Sequence, residues 1–136
     1  MTKSQPKDWF YFAVEDVTVA NAAYKEGVYN LACFHAQQAA EKLLKACLAS
    51  HGLSLPKTHI LRELYTRVIP ETPNLKAYFG MLVSFDRYYI PTRYPDALPG
   101  SLPEGLPTKE DAREAIAEIE KFSEFIQSVI QKQKKR

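Results

Sequence analysis

The sequence predicts an all-α fold, an up-and-down bundle of four or five helices with a long proline-rich loop before the last helix. Apolar residues recur at steps of three or four in almost every segment, which is the spacing of one helix face. Glycine or proline follows most of these segments, as at a helix end. With 136 residues, the chain fits one ordinary domain. We therefore assign residues 1–136 to a single helical domain with a basic tail at about 131–136.

The first two predicted helices cover residues 4–26 and 28–50, and Gly27 between them is a stop signal of the left-handed cap type. Gly52 and Pro56 follow the second helix and end it. The apolar face of the first helix contains Trp9, Ala13, Val17, Ala20 and Tyr24. That of the second contains Ala32, Ala36, Ala39, Ala40, Leu43 and Cys47, and its small residues would let another helix pack closely.

Three further helices follow. The third is predicted from Thr58, a plausible N-cap, to Ile69. The fourth begins at Asn74 and places Leu75, Phe79 and Leu82 on one stripe, with Tyr89 a further candidate at its end. The last begins with a capping box between Thr108 and Asp111. Its apolar positions are Ala112, Ala115, Ile116, Ile119, Phe122, Ile126 and Val129.

A loop of about 17 residues separates the fourth and fifth helices, and loops of this length are often functional. Prolines stand at every fourth position: Pro91, Pro95, Pro99, Pro103 and Pro107. Each removes a backbone donor and fixes φ, so helix and central strand are both excluded. Either a functional loop or a rigid crossover strap fits this pattern.

Composition excludes several classes of protein. The formal charge of +2 predicts no nucleic-acid partner by itself. No apolar run approaches the roughly 18 residues of a membrane span, and no signal-peptide core follows the N-terminus. We therefore expect a cytoplasmic protein with no membrane partner.

Cys33 and Cys47 would lie about 21 Å apart on one helix. They are therefore expected to be buried, reduced thiols.

The sequence gives little support for a metal site or a cofactor site. The three histidines, His35, His51 and His59, lack partners at metal-ligand spacing. The five glycines are scattered rather than gathered into a phosphate loop, and no serine or cysteine has a nucleophile-elbow context. We predict no metal, no cofactor and no assignable catalytic residue.

The outer arc of the second helix mixes polar side chains, including Glu41 and Lys45, with Phe34, Leu31 and Leu48. A phenylalanine within a polar arc suggests a second contact, although a singly exposed Phe34 needs no explanation. A symmetric helix-pair interface in a homodimer would account for it. The predicted interface residues are Leu31, Phe34, His35, Gln38 and Lys42.

The stretch "FDRYYIPTRYPDALPG", residues 85–100, concentrates charged and aromatic side chains where the fourth helix ends. A turn at Pro91 would bring Asp86, Arg87, Arg93 and Tyr94 together. Arginine forks suit phosphates or carboxylates, and tyrosine rings suit stacking with bases. In the alternative, Arg93 pairs with Asp86 or Asp96 and the tyrosines only close the end of the bundle.

The run "LACFHAQQAAEKLLKACLASHG", residues 31–52, followed by "PKTHIL", residues 56–61, resembles the HEPN family, the higher eukaryotes and prokaryotes nucleotide-binding domains. The "RYYIPTRYPD" segment and the long last helix fit the same family. The resemblance implies a helical bundle, usually a homodimer, often paired with a minimal nucleotidyltransferase in a toxin–antitoxin arrangement. Many members are metal-independent ribonucleases whose signature is Arg, four to six residues, then His.

This sequence departs from that signature, because no histidine follows His59. Arg87 stands where the signature arginine is expected, but Thr92 and Arg93 occupy the place of the histidine. Arginine cannot exchange protons near neutrality.

Our leading hypothesis is therefore a non-catalytic nucleotide-binding or adaptor subunit. Its nucleotide- or phosphate-binding residues would be Arg87, Arg93, Tyr94, Asp86, His59 and Lys57. The alternatives are a ribonuclease toxin with an atypical site and a purely structural dimerisation module.

Overall fold

A computed structural model describes residues 5–89 and 105–134, and within these ranges the chain forms helices and no strands, which confirms the all-α prediction. The five α-helices are α1 (Pro6–Lys25), α2 (Tyr29–Ser50), α3 (Leu61–Val68), α4 (Phe79–Phe85) and α5 (Lys109–Lys134). Two short 3₁₀ helices, Pro73–Tyr78 and Asp86–Tyr88, precede and follow α4. No helix in these ranges is long and apolar enough to cross a membrane.

Local sequence signals set several helix ends. Gly27 follows the C-cap residue of α1 and has φ +79°, so it acts as the predicted left-handed stop. At the start of α5, the Thr108 amide donates to Asp111 Oδ2 at 2.9 Å and the Asp111 amide donates to Thr108 Oγ1 at 3.1 Å. This reciprocal pair is the predicted capping box.

The central helix is α2, which packs against α1, α3, α4 and α5. Thirteen of its 22 residues are buried, so little of its surface is free. The small side chains at 32, 36, 39 and 40 are fully buried and let the neighbouring helices approach closely. Leu48, which the sequence places on the outer arc, is also fully buried because α2 is enclosed on several sides.

Two predicted elements differ from the structure. Helix α3 begins at Leu61 rather than Thr58, because the Thr58 hydroxyl caps a local turn by accepting from the Ile60 amide at 3.1 Å. The predicted fourth helix is divided, since 3₁₀ geometry over Pro73–Tyr78 replaces its first turns. A 3₁₀ segment repeats every three residues rather than 3.6, so the α-helical spacing that would place Leu75 and Phe79 on one stripe no longer holds. Phe79 is 42% exposed, contrary to the prediction.

Most of the proline-rich segment, from residue 90 to 104, lies outside the described residues, as do the residues before 5 and after 134. Pro107, at the end of that segment, is buried next to the start of α5. The rigid strap and the functional loop therefore both stay predictions.

Both cysteines are buried free thiols, as predicted. Burial raises the pKa of the Cys33 thiol to about 12 from 9.0, and the negative charge of Asp111 acts in the same direction. Burial also raises the pKa of Cys47. The folded protein therefore holds both thiols in the neutral form.

We expect the free energy of unfolding to fall as pH rises from about 9 towards 12. In this window the unfolded state loses the Cys33 proton at its ordinary pKa, whereas the folded state retains it. The resulting slope is at most about 1.4 kcal/mol per pH unit for each thiol. Urea unfolding at a series of pH values would measure it. The Cys33→Ala variant should show a shallower slope than the wild type, and equal slopes would contradict this assignment.

Candidate functional site

Four aromatic rings lie in a row across α2 and the ends of α3 and α4. The His59 ring stacks on Tyr89 with centroids 4.9 Å apart and planes inclined by 14°. Tyr89 lies 6.0 Å from Phe34, whose ring is 5.3 Å from that of His35. We call these four residues the aromatic row. The side chain of His59 is 56% exposed, so one end of the row is open to solvent.

Asp86 positions the exposed end of the row. Its carboxylate accepts from the Leu61 amide at 2.7 Å, the Arg62 amide at 3.3 Å and Arg62 Nε at 3.2 Å. The first amides of a helix have no partner within the helix and carry partial positive charge, so a carboxylate there is stabilising. Asp86 thus caps α3 from the end of α4, and this contact sets Tyr89 against His59.

A buried carboxylate holds each histidine of the row. Glu41 pairs with His59 Nδ1 at 3.1 Å and accepts from Lys45 Nζ at 2.9 Å. Asp16 of α1 pairs with His35 Nδ1 at 2.9 Å and accepts from Lys42 Nζ at 2.5 Å. Buried carboxylates are tolerated when they are paired in this way. Each imidazole is therefore anchored through Nδ1, and Nε2 is its remaining ring nitrogen.

A fully buried amide fixes the backbone beneath the row. Gln37 Nε2 donates to the carbonyl oxygen of His59 at 3.2 Å, and Gln37 Oε1 accepts from Gln38 Nε2 at 2.7 Å. Gln37 and Asp16 were not predicted as site residues. Gln37 follows Ala36, and Asp16 lies one helical turn from Ala13 and from Ala20, so both fall next to a predicted apolar face, where buried polar groups require partners. That placement is the sequence signal that could have identified them.

The side chain of Arg87 forms hydrogen bonds at the end of α4, within its own part of the chain. Its Nε donates to the Ser84 carbonyl at 3.0 Å, and a terminal nitrogen donates to Ser84 Oγ at 3.2 Å and to Tyr88 OH at 3.3 Å. Tyr88 is buried, and burial raises the pKa of its phenol. Arg87 and Asp86 thus face different partners, since Asp86 is directed to α3.

The other predicted site residues have different outcomes. Arg93 and Tyr94 lie outside the described residues, so their proposed proximity to Arg87 stays a prediction. Lys57 is exposed two positions before His59. Asp86 pairs with Arg62, which the sequence did not predict as its partner.

The predicted interface residues lie on and around the row. Leu31 is 40% exposed, whereas Phe34 is only 8% exposed because Tyr89 and His35 cover it. The second contact expected for Phe34 is therefore made within the chain. His35, Gln38 and Lys42 are half-buried. A contact between two copies through this face stays a prediction.

Within residues 5–89 and 105–134, no group of three or more His, Cys, Asp or Glu side chains is arranged to hold a metal ion.

The helical bundle and the α2-centred site define the class of protein. Residues 6–129 match the HEPN domain family, and the chain belongs to that family. This confirms the resemblance seen in the sequence.

Individual relatives agree with this assignment. The chain is 29% identical over 127 residues to a protein of Methanocaldococcus jannaschii named "Putative toxin MJ1304", covering 87% of this chain and 83% of that protein. The crystal structure of TT1696 from Thermus thermophilus superimposes with a TM-score of 0.80 at 30% identity, over 91% of this chain and 97% of that chain. ST0689, described as an archaeal HEPN homologue, gives a TM-score of 0.74 at 29% identity, over 94% and 99% of the two chains.

Replacing Asp86 by alanine should lower the free energy of unfolding by about 1–2 kcal/mol, the usual cost of losing a helix cap. The loss should be smaller for Asp86→Asn, which retains an acceptor. Urea unfolding would measure both, with Glu120→Ala on the exposed face of α5 as the control. Unchanged stability in Asp86→Ala would show that the carboxylate is not a structural cap and would return it to the ligand-binding candidates.

Proposed function

We propose that the protein is a non-catalytic nucleotide-binding or adaptor subunit that works with a nucleotidyltransferase partner in a cytoplasmic complex of toxin–antitoxin type. Membership of the HEPN family supports the general class. The observation that carries the nucleotide-binding part is the stacked pair of His59 and Tyr89 at the exposed end of the aromatic row. Ring faces of this kind accept nucleic-acid bases by stacking, whatever the base.

The phosphate would be bound by cations that are close to this pair in the sequence. Arg87 lies two residues before Tyr89, Lys57 two before His59, and Arg93 four after Tyr89. Lys42 and Lys45 are less suited to the task because buried carboxylates already engage them. Arg93, with Tyr94 beside it, is therefore the principal phosphate ligand in this proposal, and Arg87 is the second.

The positions of the three histidines in the sequence support the non-catalytic part of the proposal. All three precede α3, so no arginine is followed at the signature distance by a proton-transferring imidazole. A homodimer through the α2 face of Leu31, His35, Gln38 and Lys42 belongs to the same proposal. Leu31 offers the most exposed apolar contact, whereas Phe34, the fifth predicted interface residue, is already covered within the chain.

We expect purified protein to bind ATP, GTP or a short fluorescent RNA saturably, and more weakly as salt rises, because phosphate contacts release counterions. Arg93→Ala and His59→Ala should each weaken binding about tenfold, which corresponds to about 1.4 kcal/mol. Fluorescence anisotropy would measure it, with Arg113→Ala of α5 as the charge-matched control. Absence of saturable binding, or equal affinities in all variants, would refute the nucleotide part. Co-purification of a nucleotidyltransferase from the native cell would test the adaptor part separately.

A ribonuclease toxin with an atypical site is the second candidate, favoured by the anchoring of His59 on Glu41. A carboxylate that holds Nδ1–H fixes the tautomer and leaves Nε2 able to accept a proton, as in catalytic triads. The M. jannaschii relative carries the name "Putative toxin MJ1304".

On this second candidate, expression in a bacterium should halt growth and degrade RNA, and His59→Ala should relieve both effects. Arg87→Ala should relieve them as well, because a cation would stabilise the charge that develops on the phosphate. RNA integrity on gels and growth curves would report the result, with His51→Ala as the histidine-matched control. Unimpaired growth and intact RNA at high expression would exclude this candidate and leave the binding and purely structural alternatives.

A further inference from the structure

A second surface feature lies between α1 and α5 and shares no residue with the aromatic row. It is an open groove of about 310 Å³. Its lining consists of four apolar side chains, two lysines and two glutamines: Phe10, Tyr11, Val14, Ile130, Lys7, Lys134, Gln127 and Gln131. We call it the α1–α5 groove.

The two walls have the same spacing. Positions 7, 10, 11 and 14 of α1 and positions 127, 130, 131 and 134 of α5 both follow the pattern i, i+3, i+4, i+7, which is one face of a helix over two turns. The helices run antiparallel, since the start of α1 meets the end of α5 here and Tyr24 lies within electrostatic reach of Arg113 at the other end. Such a groove, about 10 Å long on each wall, has the shape that accepts another helix.

Apolar surface in the groove is left in contact with water. Tyr11 is 61% exposed and Val14 is 43% exposed. Phe12, in edge-to-face contact with Tyr11 at 5.5 Å, is 51% exposed beside it. A cluster of exposed apolar residues with a polar rim is typical of a protein-interaction surface, whereas single exposed residues are not informative.

Charge distinguishes one end of the groove. Lys7 and Lys134 lie together at that end because the helices are antiparallel, and Lys132 is in the same last turn of α5. No acidic side chain is among the eight that line the groove. The adjacent Asp8 is engaged by the backbone amide of Gln5 at 3.1 Å. An occupant is therefore selected for negative charge at this end.

From these observations we propose that the α1–α5 groove binds an amphipathic α-helix of a partner protein. That helix carries apolar residues at i, i+3 or i+4 and i+7, which cover Tyr11 and Val14. Its acidic residues face Lys7 and Lys134. The proposal stands whether or not the His59–Tyr89 site binds nucleotide.

The test uses the full chain and a synthetic fluorescent helical peptide of about five turns, with leucine on one face and glutamate on the other. We expect saturable binding in anisotropy titrations and amide shift changes in NMR spectra confined to α1 and α5. A peptide with lysine in place of every glutamate should bind at least about tenfold more weakly, because its charge is wrong for the groove. Tyr11→Ala and Lys134→Glu should each cause a loss of similar size, about tenfold.

Matched controls separate the groove from the general surface. Phe79→Ala removes an exposed aromatic ring of α4, and Lys121→Glu reverses an exposed charge of α5 outside the groove, so both should leave peptide affinity unchanged. Circular dichroism would establish that every variant is folded. Equal binding of the acidic and basic peptides, or shift changes elsewhere in the chain, would overturn the proposal. A concentration-dependent dimer in light scattering that Tyr11→Lys abolishes would also overturn it, because the groove would then be occupied by a second copy of this chain.

Discussion

The contact between Asp86 and the first amides of α3 is the interaction on which the candidate site depends. Neither His59 nor Tyr89 belongs to an α-helix, so both depend on contacts with neighbouring elements for their position. The carboxylate of Asp86 joins the end of α4 to the start of α3 through two backbone amides and the side chain of Arg62. Asp86 therefore has a structural role, although the composition of the charged segment that contains it suggests ligand binding.

A second constraint is the polar layer beside the buried surface of α2. Asp16 and Glu41 are each paired with one lysine and one histidine, and Gln37 binds the backbone of His59. Burying these groups is unfavourable unless their hydrogen bonds are made in one arrangement. The layer thereby fixes the orientation of two imidazoles at the surface. The small residues of α2 allow the helices to pack closely, and the polar layer orients the side chains of the candidate site.

Local signals in the sequence were sufficient for much of the fold. Gly27, and the pair Thr108 and Asp111, act within one turn of their own positions, so their roles could be predicted without knowing the tertiary structure. The fourth helix was predicted as one continuous α-helix, because periodicity alone did not distinguish the 3₁₀ geometry of Pro73–Tyr78 from α-helical turns. Phe34 was placed on an outer arc by helix periodicity, yet Tyr89, 55 positions away, covers it. Asp86 bridges 25 positions to Leu61, a pairing that no short-range pattern encodes.

Helices α3 and α4 are short, with eight and seven residues. Helices this short are not stable in isolation, so both exist only while they are docked on the long helices. Their stability therefore comes from the side chains that they place in the core, among them Leu64 of α3 and Leu82 and Phe85 of α4, which are almost completely buried. A substitution that weakens this docking would therefore be expected to unfold a whole short helix rather than to remove one contact.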